Sequence, residues 1–77
     1  MAQAGDSIFV VMWPRGGTSD PRGYYTKLVA AQYAITQAFP EVLRQHFFWN
    51  NDGNVCRMLS NVTFPYPLPY VKRVELL

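Results

Sequence analysis

The sequence predicts a small α+β domain, in the order β-α-β-β-β, with one main helix packed on a small, mainly antiparallel sheet. Three features carry this expectation. Residues 8–13 form an unbroken apolar run, apolar residues recur at helical spacing from Tyr24 to Phe39, and Asp52-Gly53 separates two further apolar runs.

The first run, Ile-Phe-Val-Val-Met-Trp, is rich in β-branched and aromatic residues and ends at Pro14. It reads as a central strand covered on both faces, because it shows no polar alternation. The segment that follows, WPRGGTSDPRG, carries the triplet Pro-Arg-Gly twice. Asp20 suits a helix N-cap and Pro21 a first helical position, so the helix is predicted to begin there. Tyr24, Leu28, Ala31, Ile35 and Ala38 form its apolar stripe, flanked by Tyr25, Val29 and Phe39. Pro40 disfavours helical geometry at Phe39 and stops the helix, with one further turn expected over residues 41–45.

Asp52-Gly53 between apolar runs predicts a hairpin with those two residues as its turn. That register sets Trp49 opposite Cys56 and Phe47 opposite Met58, one apolar face, and turns His46, Phe48 and Arg57 the other way. Residues 64–70, Phe-Pro-Tyr-Pro-Leu-Pro-Tyr, have a proline at every second position and predict an extended connector. The closing stretch alternates, with Tyr70, Val74 and Leu76 on one side and Arg73 and Glu75 on the other. It reads as a half-buried final strand.

Length restricts the chain to one domain over residues 1–77, with residues 1–6 a flexible N-terminus. A chain of 77 residues buries only roughly 60% of the surface its unfolded form exposes. With Cys56 its only cysteine and His46 its only histidine, neither an internal disulfide nor a zinc site is expected to compensate. Apolar packing must do so, and a composition that is 49% hydrophobic and 16% aromatic supports a packed core over disorder. The formal charge of +2 is smaller than a dedicated nucleic-acid domain carries. The first seven residues lack the charge and apolar stretch of a secretory signal, and no apolar run is long enough to span a bilayer. A cytoplasmic protein without membrane contact is expected, and the Asn61-Val62-Thr63 sequon is read as coincidental.

No catalytic constellation is expected. The predicted register sends Cys56 to the core and His46 to the opposite face, and Asp6, Asp20, Glu41, Asp52 and Glu75 are scattered. Catalytic residues, metal ligands and cofactors are therefore predicted to be absent. Gly16, Gly17, Thr18 and Ser19 before a helix start offer a generic anion cradle, with Arg15 and Arg22 as clamps. They match neither the P-loop nor the dinucleotide glycine pattern.

The remaining signal is one of surface. Trp, Tyr and Arg dominate protein–protein hot spots, and Trp13, Arg15, Arg22, Tyr24 and Tyr25 crowd one segment. Phe48 and Arg57 form a second cluster on the outer face of the hairpin. In size and build the chain resembles the compact inhibitors encoded by phages and mobile elements, anti-CRISPR proteins among them. The resemblance implies a non-enzymatic protein that blocks a larger intracellular protein or nucleoprotein complex. Arg15 and Arg22 are expected to pair with carboxylates or phosphates of that target. Two alternatives are a nucleic-acid-binding accessory protein, which would use Arg15, Arg22, Lys27, Lys72 and Arg73, and a homodimeric structural subunit.

Overall fold

In the computed structural model, which describes residues 7–75, the chain reverses immediately after its first strand. β1 (Ser7–Arg15) leads into β2 (Thr18–Tyr25) through Gly16 and Gly17, whose φ angles are 52° and 89°. Positive φ at both positions of a two-residue loop is the type I′ pattern, whose twist suits antiparallel strands and whose backbone glycine adopts without Cβ strain. The predicted helix start at Asp20-Pro21 is thereby overridden. Residues 18–25 pair with β1 instead, and Pro21 is tolerated because β2 is an edge strand. The register shifts between Val11 and Met12, so that Arg22 is the extra residue of a β-bulge between Pro21 and Gly23.

The helix proper, α1 (Leu28–Gln37), starts after Lys27, which supplies no side-chain cap. Its buried residues are Ala31 and Ile35, the centre of the predicted stripe. Pro40 separates it from a single turn, α2 (Glu41–Arg44), as the sequence predicts. Arg44 then folds back: its Nε donates to the carbonyls of Thr36 (3.0 Å) and Phe39 (3.1 Å). The guanidinium adds a second donor to the Thr36 carbonyl, which already accepts from the Phe39 N–H (3.1 Å), and a cation in this place complements the helix dipole. Arg44→Ala is expected to cost about 1–2 kcal/mol in urea denaturation, whereas Arg44→Lys should recover only part of it.

β3 (Phe47–Asp52), β4 (Val55–Ser60) and β5 (Tyr70–Glu75) complete a five-stranded antiparallel sheet in the order β2-β1-β5-β4-β3. The element order is thus β-β-α-α-β-β-β, a correction to the predicted β-α-β-β-β, although the α+β class of one main helix on an antiparallel sheet stands. The predicted hairpin exists, but its loop is Gly53-Asn54 rather than Asp52-Gly53, and Trp49 lies opposite Met58. Gly53 (φ 63°) precedes an Asn54 with ordinary φ, the pattern of a type II′ loop. The slide spans two residues, so every side chain keeps its predicted face. It sets Phe48 opposite Leu59, an apolar pair, where the predicted register would have set it opposite Arg57.

Residues directly opposed in an antiparallel ladder share a face. One face carries Val11, Cys56, Met58 and Val71, which form the core with Ala31, Ile35 and Phe39. α1 covers this face alone, so β1 is not covered on both sides as its composition suggests. The middle strand is β5, and its buried residue is Val71, at 1% exposure. Tyr70 and Val74 lie on the opposite face, which reverses the predicted inside and outside of this strand. The expected N-terminal flexibility over 1–6 and the placement of Leu76 lie outside the described residues. The proline-rich connector bends at residues 65–66 and contributes to the core: Pro69 is fully buried, and Phe64 and Leu68 pack against the cluster.

Candidate functional site: the open face of the sheet

With α1 on one side, no second layer among the described residues covers the other face of the sheet. Register places Tyr24 of β2, Ile8, Val10 and Met12 of β1, and Tyr70, Lys72 and Val74 of β5 on it. β4 adds Val55, Arg57 and Leu59, and β3 adds Phe48 and Asn50. Val10 is buried by its neighbours, but the larger side chains stand out: Tyr24 is 67% exposed, Phe48 45% and Val74 40%. Apolar side chains contiguous over several strands mark an interaction surface far more often than single exposed ones do.

Charge on this face is one-sided. Arg57 and Lys72 project from adjacent strands, and among the described strand residues Asp52, at the rim, is the only carboxylate on this side. The Arg57 guanidinium lies over the Tyr70 ring, 5.8 Å from its centre, a cation–π contact between adjacent strands. Beside this pair the connector arches over the end of β3 and β4 and bounds a groove of about 550 Å³, lined by Phe48, Arg57, Leu59, Tyr66 and Tyr70.

The residues predicted to meet a partner do not form one cluster. Tyr24, Phe48 and Arg57 share the open face. Trp13 and Tyr25 point to the helix side instead. Trp13 stacks on Phe39 at 5.7 Å, and the Tyr25 ring lies over Gly23, 2.9 Å from where a Cβ there would sit. Both are partly buried packing residues of the core. Arg15 sits at the hairpin tip, 3.6 Å from the Asp20 carboxylate, and Arg22 sits exposed in the bulge. The Arg15 pair is largely solvated and contributes little to stability. The anion cradle does not form: α1 begins at Leu28, so no helix N-terminus follows the glycines, and the Thr18 hydroxyl donates to the Arg15 carbonyl (2.9 Å).

The sequence does not single out Tyr70 and Leu59 as site residues, and it brings in Lys72 only for the nucleic-acid alternative. Strict alternation over residues 70–75 would have grouped Tyr70, Lys72 and Val74 had Val71 been taken as the buried position. A second exposed apolar pair, Val29 and Tyr33, lies one turn apart on the outer side of α1.

The cysteine and histidine are far apart. Cys56 lies opposite Asn51, five positions along β3 from His46, which is roughly 17 Å at strand rise. Buried Cys56 accepts a hydrogen bond from Gln32 Nε2 (3.2 Å). Among the described residues no group of three or more His, Cys, Asp or Glu stands close enough to hold a metal ion, and no helix is long and apolar enough to cross a membrane. No family model, curated protein or solved structure matches the chain.

Proposed function

We propose that this protein is a non-enzymatic binding protein that seats the open face of its sheet on a larger protein partner. The observation that carries this reading is the unlayered face itself. Exposed Tyr24, Phe48, Leu59 and Val74 share it with the Arg57–Tyr70 pair, the mixture of aromatic, aliphatic and arginine side chains that concentrates binding energy at protein interfaces. A rigid antiparallel sheet presents these groups with little ordering cost on association. Its effect on the partner is steric: the protein occupies a surface and denies it to others, as the compact phage-type inhibitors of similar size do. The basic character of the face favours an acidic rim on the partner.

One observation favours a second reading. Aromatic rings interleaved with Arg57 and Lys72 on an open sheet also suit stacked bases of single-stranded nucleic acid. The two readings separate by capture from native extract on immobilised protein, with and without nuclease and across a salt series. A protein partner should survive nuclease and weaken little as salt rises. Capture that nuclease abolishes, or affinity falling steeply between low and moderate ionic strength through counterion release, assigns the face to nucleic acid instead.

A further inference from the structure

The two edges of the sheet are built differently. β2 carries Pro21 and the bulge at Arg22, devices that spoil an edge for further pairing. β3, at the other edge, has the sequence Phe-Phe-Trp-Asn-Asn-Asp, with no proline, no lysine and no register shift along its six residues. Its free backbone groups can be located. The N–H of Asn61 donates to the His46 carbonyl at 3.0 Å, and this pair continues the β3–β4 register, so it is a hydrogen-bonded pair. Such pairs alternate with non-bonded ones. Phe48, Asn50 and Asp52 therefore direct their backbone groups to β4, while Phe47, Trp49 and Asn51 direct theirs to the open edge. Among the described residues no hydrogen bond from elsewhere in the chain reaches that edge.

We propose that this edge pairs antiparallel with β3 of a second copy of the chain, about a two-fold axis at Trp49, joining two sheets into one. An isologous pairing must bring side chains of the same face together, which leaves registers centred on a single residue. Centring on Trp49 sets Trp49 opposite Trp49 of the second copy and Phe47 opposite Asn51, so all three outward-directed residues bond across the axis. The same register sets Phe48 opposite Asn50 and, at both ends, His46 opposite Asp52. Centring on Asn50 would set Asp52 against Phe48 and leave His46 opposite Asn54. The hydrogen-bonding match of the His46 imidazole with the Asp52 carboxylate and the aromatic pair at the axis both select Trp49.

Sedimentation over a concentration series reaching the millimolar range tests this. The parent chain should associate reversibly to a dimer. Asn51→Pro removes an outward N–H without touching the β4 ladder, and should abolish the dimer while leaving the far-UV circular dichroism unchanged. A charge swap guards against misfolding of that variant. His46→Asp sets like charges opposite one another at both ends and should weaken the dimer roughly tenfold or more, and His46→Asp with Asp52→Lys should restore it. A parent chain that stays monomeric throughout overturns the proposal. So does a dimer that persists in a folded Asn51→Pro variant, or a charge swap that fails to restore association.

Discussion

Phe39→Ala should bring the domain close to unfolding. Phe39 lies at the end of α1, where the rings of three other segments converge on it: Trp13 of β1 at 5.7 Å, Phe47 of β3 at 4.9 Å and Phe64 of the connector at 6.1 Å. Truncating a buried phenylalanine costs about 3–5 kcal/mol, through lost transfer energy and the cavity left behind. A domain of this length is held by roughly 5–10 kcal/mol in all, with neither disulfide nor metal in reserve among the described residues. The melting temperature should fall by roughly 15–30 °C, and Phe39→Leu, which refills part of the cavity, should lose clearly less. A shift under about 5 °C would mean that the aromatic cluster does not anchor the helix to the sheet.

The second large effect belongs to binding. Phe48→Asp and Arg57→Glu change exposed side chains on the open face, so the fold should tolerate them. Phe48 is opposed to Leu59 and Arg57 to Tyr70, which places both substitutions within the proposed contact surface. A carboxylate in either position puts an unpaired negative charge against a partner chosen for acidic complementarity. Each should weaken capture at least about 30-fold, as loss of a hot-spot residue does. Near-wild-type circular dichroism and melting would show that the loss arises at the interface.

Much of this architecture is legible in the residues. The strand character of residues 8–13, the centre of the helical stripe at Ala31 and Ile35, and the break at Pro40 all follow from the residues, and the structure has each of them. The hairpin faces were legible even though its register was not, because a slide of two residues leaves every side chain on its own side. Two features were masked by competing signals. Gly16-Gly17 is a sound hairpin turn, yet Asp20-Pro21 beside it is an equally sound helix start. Only the pairing of residues 18–25 with β1, a tertiary interaction, decides between them. In the last strand, alternation gives two faces without naming the buried one. The position of β5 in the middle of the sheet, with Val71 level with Val11 and Cys56, makes that choice. The candidate site was half visible for the same reason. Phe48, Arg57 and Tyr24 could be named singly, but their common face with Tyr70 and Lys72 exists only once the strand order is known.

In the proposed function the open face, and not the arginine hairpin, meets the partner. Calorimetric titration of the captured partner against two variants tests it most directly. One variant combines Phe48→Asp with Arg57→Glu on the face. The other combines Arg15→Ala with Arg22→Ala, at the hairpin tip and the bulge. Binding should be lost in the first and remain within about threefold of the parent in the second, since exposed charges outside a contact contribute little. Full affinity in the face variant, with loss in the arginine variant, would move the interface to the β1–β2 hairpin.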